Sequence, residues 1–324
     1  MPARAALFLF GPTAVGKTAT LSALAGRPVE VVSADSMQVY RGMDIGTAKP
    51  PPALRRRVPH HLIDIRDPDE RYDVGAFVAD ANREMNAILA RGRLPIVAGG
   101  TGFYFRHLLL GLPEAPRSDA GVRERVRERV ERDGLAASYE RLARIDPASA
   151  ARIAPADAYR ITRALEVHEQ TGRPLSSYAT TGPPRSDLVV TSIALTRPRD
   201  ELRRRIADRV REMFVAGLRG EVERLVGDGY GSDAPGMRAI GYREFFGPEG
   251  RLRSPGEDEA IEIEIAASTR RYAKRQQTFV RQLPGLVEVA ADEPAGVVGR
   301  VDALLRELDS PQAVRYLSGS RSQA

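Results

Sequence analysis

Three short apolar runs punctuate the first hundred residues: 6–10 (A-L-F-L-F), 29–33 (V-E-V-V-S) and 94–98 (L-P-I-V-A). Continuous runs of this length, bounded by glycine or polar turns, predict strands buried on both faces. A fourth candidate, 188–195 (L-V-V-T-S-I-A-L), comes far later in the chain. Between the second and third runs, residues 74–91 set Phe77, Ala81, Met85, Ile88 and Leu89 on one face at helical spacing. Helical patterns also cover 18–25, 199–216 and 257–281. Strands that alternate with helices predict an α/β protein with a doubly wound parallel sheet, its ligands at the carboxyl ends of the strands.

Residues 115–185 break that rhythm. The stretches 122–132, 135–145 and 156–171 all read as helix, and no strand pattern returns before Leu188. This predicts an all-helical insertion that leaves at Pro183-Pro184. The expected division is therefore 1–114 for the first part of the core and 115–185 for the insertion. Residues 186–312 complete the core with C-terminal helices, and 313–324, rich in Ser, Arg and Gln, form a frayed tail.

The run closing at Phe10 leads straight into G-P-T-A-V-G-K-T. A strand, then G-x-x-x-x-G-K-[ST], then a helix is the loop that wraps a diphosphate or triphosphate. Gly11 and Gly16 would let the loop they close, with Pro12, Thr13, Ala14 and Val15 between them, turn so that its backbone N–H groups point at phosphate oxygens. Lys17 would add charge at the outer phosphates, and the Thr18 hydroxyl is the candidate ligand for Mg2+. A chance match in a chain of this length has odds on the order of one per cent. The fold class thus narrows to a P-loop NTPase-like sheet with a helical insertion and a helical C-terminal region. The motif leaves the reaction open.

The second strand run ends in Ser33-Ala34-Asp35-Ser36-Met37-Gln38. In a doubly wound sheet that end lies beside the phosphate loop, so Asp35 can face the diphosphate as a general base or as a water-mediated Mg2+ ligand. An Asp capping the next helix is the structural alternative. The third run ends in Gly99-Gly100-Thr101-Gly102 with no acid, where a motor-type ATPase would carry its Walker-B aspartate. Thr101 would present a hydroxyl to the same cleft, or the glycines simply make a tight turn.

Composition narrows the chemistry further. With no cysteine, thiolate chemistry, disulfides and Cys-based zinc sites are excluded, and the four histidines show no metal-site spacing. No apolar run is long enough to span a bilayer, so a cytoplasmic, monomeric protein is expected. The net charge of +6, carried mostly by arginine, suits a polyanionic partner or simply reflects an arginine-rich proteome. Clustering favours the partner. Residues 270–281 (R-R-Y-A-K-R-Q-Q-T-F-V-R) carry five positive charges and no negative one, with Tyr272, Gln276 and Phe279 on a second helical face. Residues 237–244 (M-R-A-I-G-Y-R-E) are a second basic segment with an aromatic. Cations beside amides and aromatics suit an RNA loop, and the competing reading is a solvated helix face.

In order along the chain stand G-P-T-A-V-G-K-T at 11, S-A-D-S-M-Q-V-Y-R-G-M-D-I-G-T-A-K-P at 33 and G-G-T-G-F-Y at 99. They are followed by Y-R-I-T-R-A-L-E-V at 159, M-R-A-I-G-Y-R-E at 237 and R-R-Y-A-K-R-Q-Q-T-F at 270. Together they resemble the tRNA dimethylallyltransferase family over nearly the whole chain, and the second motif alone is highly specific. Phe279 stands where the family often has tryptophan, and Val15 is a tolerated variant of the loop. Eukaryotic members add a zinc finger, so a cysteine-free chain resembles the bacterial type. The resemblance implies transfer of a dimethylallyl group from dimethylallyl diphosphate to N6 of adenosine 37 in the anticodon stem-loop of tRNA, with diphosphate released. It implies catalytic roles for Asp35 and Thr101. It also implies tRNA contacts by Asp35, Ser36, Met37, Gln38, Thr101, Arg123, Tyr159, Arg160, Ile161, Thr162 and Arg163. Further contacts fall to Arg238, Tyr242, Arg243, Lys274, Arg275, Gln276, Gln277, Thr278, Phe279, Val280 and Arg281. Arg209 is a candidate diphosphate clamp. The alternative is a small-molecule or nucleoside kinase with the same loop, which has no need of the basic-aromatic helix. A non-catalytic RNA-binding NTPase fits poorly without a Walker-B acid.

Overall fold

The computed structural model describes residues 4–183, 185–281 and 283–309. The expected tail at 313–324 lies outside the described residues. Among the described residues six strands run in chain order: β1 Ala5–Phe10, β2 Val29–Ala34, β3 His60–His61, β4 Leu94–Gly99, β5 Val189–Thr196 and β6 Leu286–Ala290. They form one sheet, ordered β3-β2-β4-β1-β5-β6, in which every pair is parallel. The three central strands β2, β4 and β1 are buried along their whole length, which explains their unbroken apolar character. Each of Leu7, Phe8, Leu9 and Phe10 is at most 1% exposed, and burial of each contributes roughly 1.5–3 kcal/mol. The two added edge strands left little sequence signal. β3 is two residues long, and β6 is only partly buried, with a glutamate at its centre.

Twelve helices accompany the sheet among the described residues. They are α1 Lys17–Ser22, α2 Pro52–Arg57, α3 Val74–Ala90, α4 Gly102–Leu110, α5 Ala120–Asp133, α6 Leu135–Ile145, α7 Pro147–Ala150 and α8 Ala158–Thr171. After β5 come α9 Arg199–Val215, α10 Leu218–Gly227, α11 Asp258–Val280 and α12 Pro294–Asp309. Helix α3 starts where Asp73 accepts the Ala76 N–H at 2.8 Å, and it buries Phe77, Ala81, Met85 and Ile88.

The chain divides into two compact units: one comprises residues up to Arg106 and from Ser186 onward, the other His107–Arg185. The first holds the sheet and a core of Leu7, Leu9, Val31, Ile96 and Ile193 with Val297 and Val301 of α12. The second is helical. Val122, Val126, Leu142, Ile161, Ala164 and Leu165 of its helices form its own core. Its two longest helices open on aspartates: Asp119 caps α5 through the Val122 N–H and Asp157 caps α8 through the Arg160 N–H.

Candidate active site in the sheet unit

Gly11 follows β1 directly, and its N–H donates to Gly99 O at 3.2 Å, tying the loop to the end of β4. Gly16 sits at φ 124°, a region that other residues rarely adopt, and Lys17 then opens α1. Lys17 Nζ donates to Gly11 O at 2.7 Å and Pro12 O at 3.0 Å, so the ammonium is folded over the mouth of the loop. Two arginines brace the loop from its carbonyl side. Arg205 Nε donates to Ala14 O and Arg197 Nε to Val15 O, both at 2.9 Å. These carbonyls belong to the same peptide units as the Val15 and Gly16 N–H groups. Donation to Val15 O polarises the Gly16 N–H that a phosphate would meet, while the Val15 N–H is turned to Pro12 O at 3.3 Å.

The ends of β2 and β4 complete the site. Thr101 N donates to Ala34 O at 3.2 Å, and Thr101 Oγ1 accepts the Ser36 N–H at 3.1 Å. Asp35 Oδ1 accepts the Met37 N–H at 3.0 Å, which fixes the plane of the carboxylate. Asp35 acts electrostatically on Lys17, Arg209 and Tyr272, so these four groups converge. Loss of hydration pushes the Lys17 ammonium down to about 8; neighbouring Arg209 adds to this, while Asp35 opposes it. Burial likewise lowers Arg209 against the pull of Asp35 and Glu212, and it raises the Tyr272 phenol to about 12. Loop, lysine and arginine together form a cationic cradle with one carboxylate at its edge.

The Lys17 position carries a pH prediction. Free Lys17 loses its proton as pH rises through about 8, and a bound diphosphate restores it, so binding above pH 8 takes up a proton. Below pH 8 the lysine is charged in both states and contributes no slope. Diphosphate affinity measured by calorimetry is expected to fall more steeply above pH 8 in the wild type than in Lys17→Ala. Parallel profiles for the two proteins would contradict the assignment.

Helix α11 has a role in this site that its basic composition concealed. Gln276 is 5% exposed; its Oε1 accepts the Thr13 N–H at 3.0 Å and its Nε2 donates to Gly100 O at 2.6 Å. A Cβ on Gly100 would lie 2.3 Å from that nitrogen, so a side chain there would push the Gln276 amide off Gly100 O. Tyr272 bonds Thr101 one turn earlier, and the Arg275 guanidinium lies over its ring at 5.7 Å. Phe279 packs on the start of α4, where a Cβ on Gly102 would be 2.5 Å from its ring.

Four residues expected against RNA are buried in the protein instead. Gln276 bridges the phosphate loop to β4, and Val280 packs into the interior. Tyr242 is fully buried, its ring against Gly46 and its hydroxyl donating to Glu221 at 2.6 Å. Ile161 belongs to the core of the helical unit. The remaining candidates of the sheet unit keep surface. Arg238, Arg243, Lys274, Arg275, Thr278 and Arg281 are exposed, and Ser36, Met37, Gln38, Gln277 and Phe279 are half-buried. In the helical unit Tyr159 is 81% exposed and Arg160, also exposed, pairs with Asp157 at 3.0 Å. Arg123, Thr162 and Arg163 are half-buried there, with Arg163 bonded to Pro116 O and to Glu166. Arg197, Arg205 and the structural work of Gln276 were not anticipated. Arg197 follows β5 directly, so the rule that ligands gather at strand carboxyl ends pointed to it.

Thr18 is exposed at the second position of α1, and Asp35 acts electrostatically on Lys17 next to it. Among the described residues no group of three or more His, Cys, Asp or Glu could hold a metal by itself. A Mg2+ ion that keeps its waters and shares phosphate oxygens needs only one or two protein ligands, so Thr18 with Asp35 fits it.

Comparison with known proteins agrees over most of the chain. The IPP transferase family profile matches residues 38–283. A tRNA dimethylallyltransferase of Thiobacillus denitrificans is 48% identical over 286 residues, 87% of this chain and 90% of that one. One from Acidovorax sp. strain JS42 is 44% identical over 310 residues, covering 92% and 95%. Among solved structures, the tRNA isopentenylpyrophosphate transferase of Bacillus halodurans superposes with a TM-score of 0.65 at 35% identity, covering 94% of this chain and 98% of that one. A eukaryotic dimethylallyltransferase acting on tRNA gives a TM-score of 0.73 at 25% identity, covering 89% and 74%. The parallel sheet, the phosphate loop with Asp35 beside it, and these matches agree: the chain belongs to the IPP transferase family.

Proposed function

We propose that this protein transfers the dimethylallyl group of dimethylallyl diphosphate to N6 of adenosine 37 in tRNA, working as a monomer. The observation that carries the proposal is the convergence of Asp35 with Lys17 and Arg209 at a phosphate loop whose neighbouring strand end, Gly99-Gly100-Thr101, has no acid. That arrangement suits a diphosphate leaving group and a nucleophile that must lose a proton. The family membership of the chain supports the same reading.

In this mechanism the bond between the donor's C1 and its bridging oxygen breaks, the N6–C1 bond forms, and the N6 proton passes to Asp35. The exocyclic amine of adenine is a weak nucleophile, so removing its proton as the bond forms is where a base contributes. Thr101, held by Ser36 and Tyr272, offers its hydroxyl beside Asp35 and helps fix the amine. The N–H groups of Ala14 and Gly16, the Lys17 ammonium and the Arg209 guanidinium take the charge that develops on the diphosphate. Mg2+ held through Thr18, with Asp35 reaching it through water, would supply further neutralisation of that leaving group. The tRNA rests on the exposed cations Arg238, Arg243, Lys274, Arg275 and Arg281 with Gln277, Thr278 and the Phe279 ring. Ser36, Met37 and Gln38 meet the target base, and Arg123, Tyr159, Arg160, Thr162 and Arg163 of the helical unit add their own contacts.

Lys274→Ala with Arg275→Ala removes up to two phosphate contacts. The slope of log affinity against log salt for unmodified tRNA is then expected to drop by about 1.4–1.8. Filter binding across a salt series measures it, and an unchanged slope would make that face a plain solvated surface. The reaction itself is tested by incubating the protein with unmodified tRNA and dimethylallyl diphosphate labelled in the prenyl carbons. Label in tRNA with stoichiometric diphosphate release is expected. Phosphoryl transfer from ATP to a small acceptor, without prenylation, would replace this proposal with a kinase.

A further inference from the structure

The segment that follows Asp35 is held in place by a carboxylate from outside the site. Glu221, in the first turn of α10, is 8% exposed and faces three successive backbone donors. Its Oε2 accepts the N–H groups of Asp44 and Ile45, both at 2.9 Å, and its Oε1 accepts those of Ile45 at 3.1 Å and Gly46 at 3.2 Å. Tyr242 Oη adds a bond to Oε1 at 2.6 Å. Consecutive N–H groups turned to one side form an anion-binding nest, and here the anion is part of the protein. Bonds to an ionised acceptor are the strong ones.

From this nest the connection runs back to Asp35. The next carbonyls, Thr47 O and Ala48 O, accept the Gln38 amide at 3.3 and 3.4 Å, and Gln38 Oε1 accepts the Ser33 hydroxyl at 3.2 Å. Gln38 is thereby clamped between the end of β2 and the loop that Glu221 fastens, with Asp35 between its two anchors. Ala48 stands at φ 47°, a left-handed conformation for a residue with a Cβ, which persists only where the surroundings over-determine it. Lys49 supplies part of that constraint through Tyr40 O at 2.6 Å and Asp44 at 2.7 Å. Gly46 admits the Tyr242 ring, since a Cβ there would be 2.5 Å from it.

We propose that Glu221, seated by Tyr242, is a positioning residue for the Asp35 segment: its carboxylate closes the 44–46 nest and so sets where the base stands. It touches neither donor nor acceptor. The inference rests on the transferase reading above, and its own test runs beside that one. Glu221→Gln puts an amide donor against N–H groups, leaving at least one donor unsatisfied and the loop displaced. At saturating substrates its turnover is expected to fall by about 10²-fold, as for misplacement on the scale of an ångström. Inorganic diphosphate affinity should stay at the wild-type value, because the phosphate loop is braced separately by Gln276, Arg197 and Arg205. Tyr242→Phe keeps the nest and removes one bond to the carboxylate, so turnover should fall by about tenfold. It decides the question alone if Glu221→Gln does not fold. Wild-type turnover in either folded variant would overturn the proposal, and so would a parallel loss of turnover and diphosphate affinity, which marks general loosening. An inactive wild type would sink the transferase reading instead.

Discussion

Asp35→Asn is expected to lower turnover by about 10²–10⁴-fold, the range for loss of a positioned general base. The amide keeps the size of the side chain and can still accept the Met37 N–H that orients it, but it cannot take the N6 proton. Binding of tRNA should change far less, since the tRNA surface extends over many cations. Single-turnover measurements with preformed complexes separate chemistry from binding. A variant that turns over at the wild-type rate would remove Asp35 from the base role.

Lys17→Ala is expected to weaken diphosphate binding by about 2–5 kcal/mol, the range for truncating one partner of a buried charge pair. The wild-type ammonium already sits on Gly11 O and Pro12 O at the loop mouth, so little ordering remains when the anion arrives. Loss of the lysine also leaves Asp35 facing the diphosphate with Arg209 as its remaining named cationic neighbour. Calorimetry with inorganic diphosphate and Mg2+ gives the affinity, and thermal melting checks the fold. Unchanged affinity would move the diphosphate site away from the loop.

Elements with strong local signals were legible from the sequence. The strands β1, β2, β4 and β5 are continuous apolar runs because their centres are buried on both faces, and α3 announced its inner face by spacing alone. The phosphate loop was legible because its chemistry is compressed into eight consecutive residues. What stayed hidden depends on contacts far apart in sequence. Gln276 reads as one more polar residue of a basic helix, yet its partners Thr13 and Gly100 lie 263 and 176 positions away. Tyr242 reads as an aromatic in a basic motif, yet the space beside Gly46 and the bond to Glu221 bury it. A helical wheel separates faces without saying what each face meets. For α11 the face carrying Gln276 meets the active site, while Lys274 and Arg275 remain exposed.

A phosphate loop that serves carbon–nitrogen bond formation on tRNA, as proposed, leaves its product in the nucleic acid as an altered nucleoside. Digestion of tRNA to nucleosides after reaction with dimethylallyl diphosphate, with mass spectrometry of each product, tests this most directly. The predicted result is adenosine alkylated at N6, confined to position 37, appearing with wild-type protein and strongly reduced with Asp35→Asn. Unaltered adenosine at position 37 after complete incubation with wild-type protein, or prenylation at another nucleoside, would contradict it.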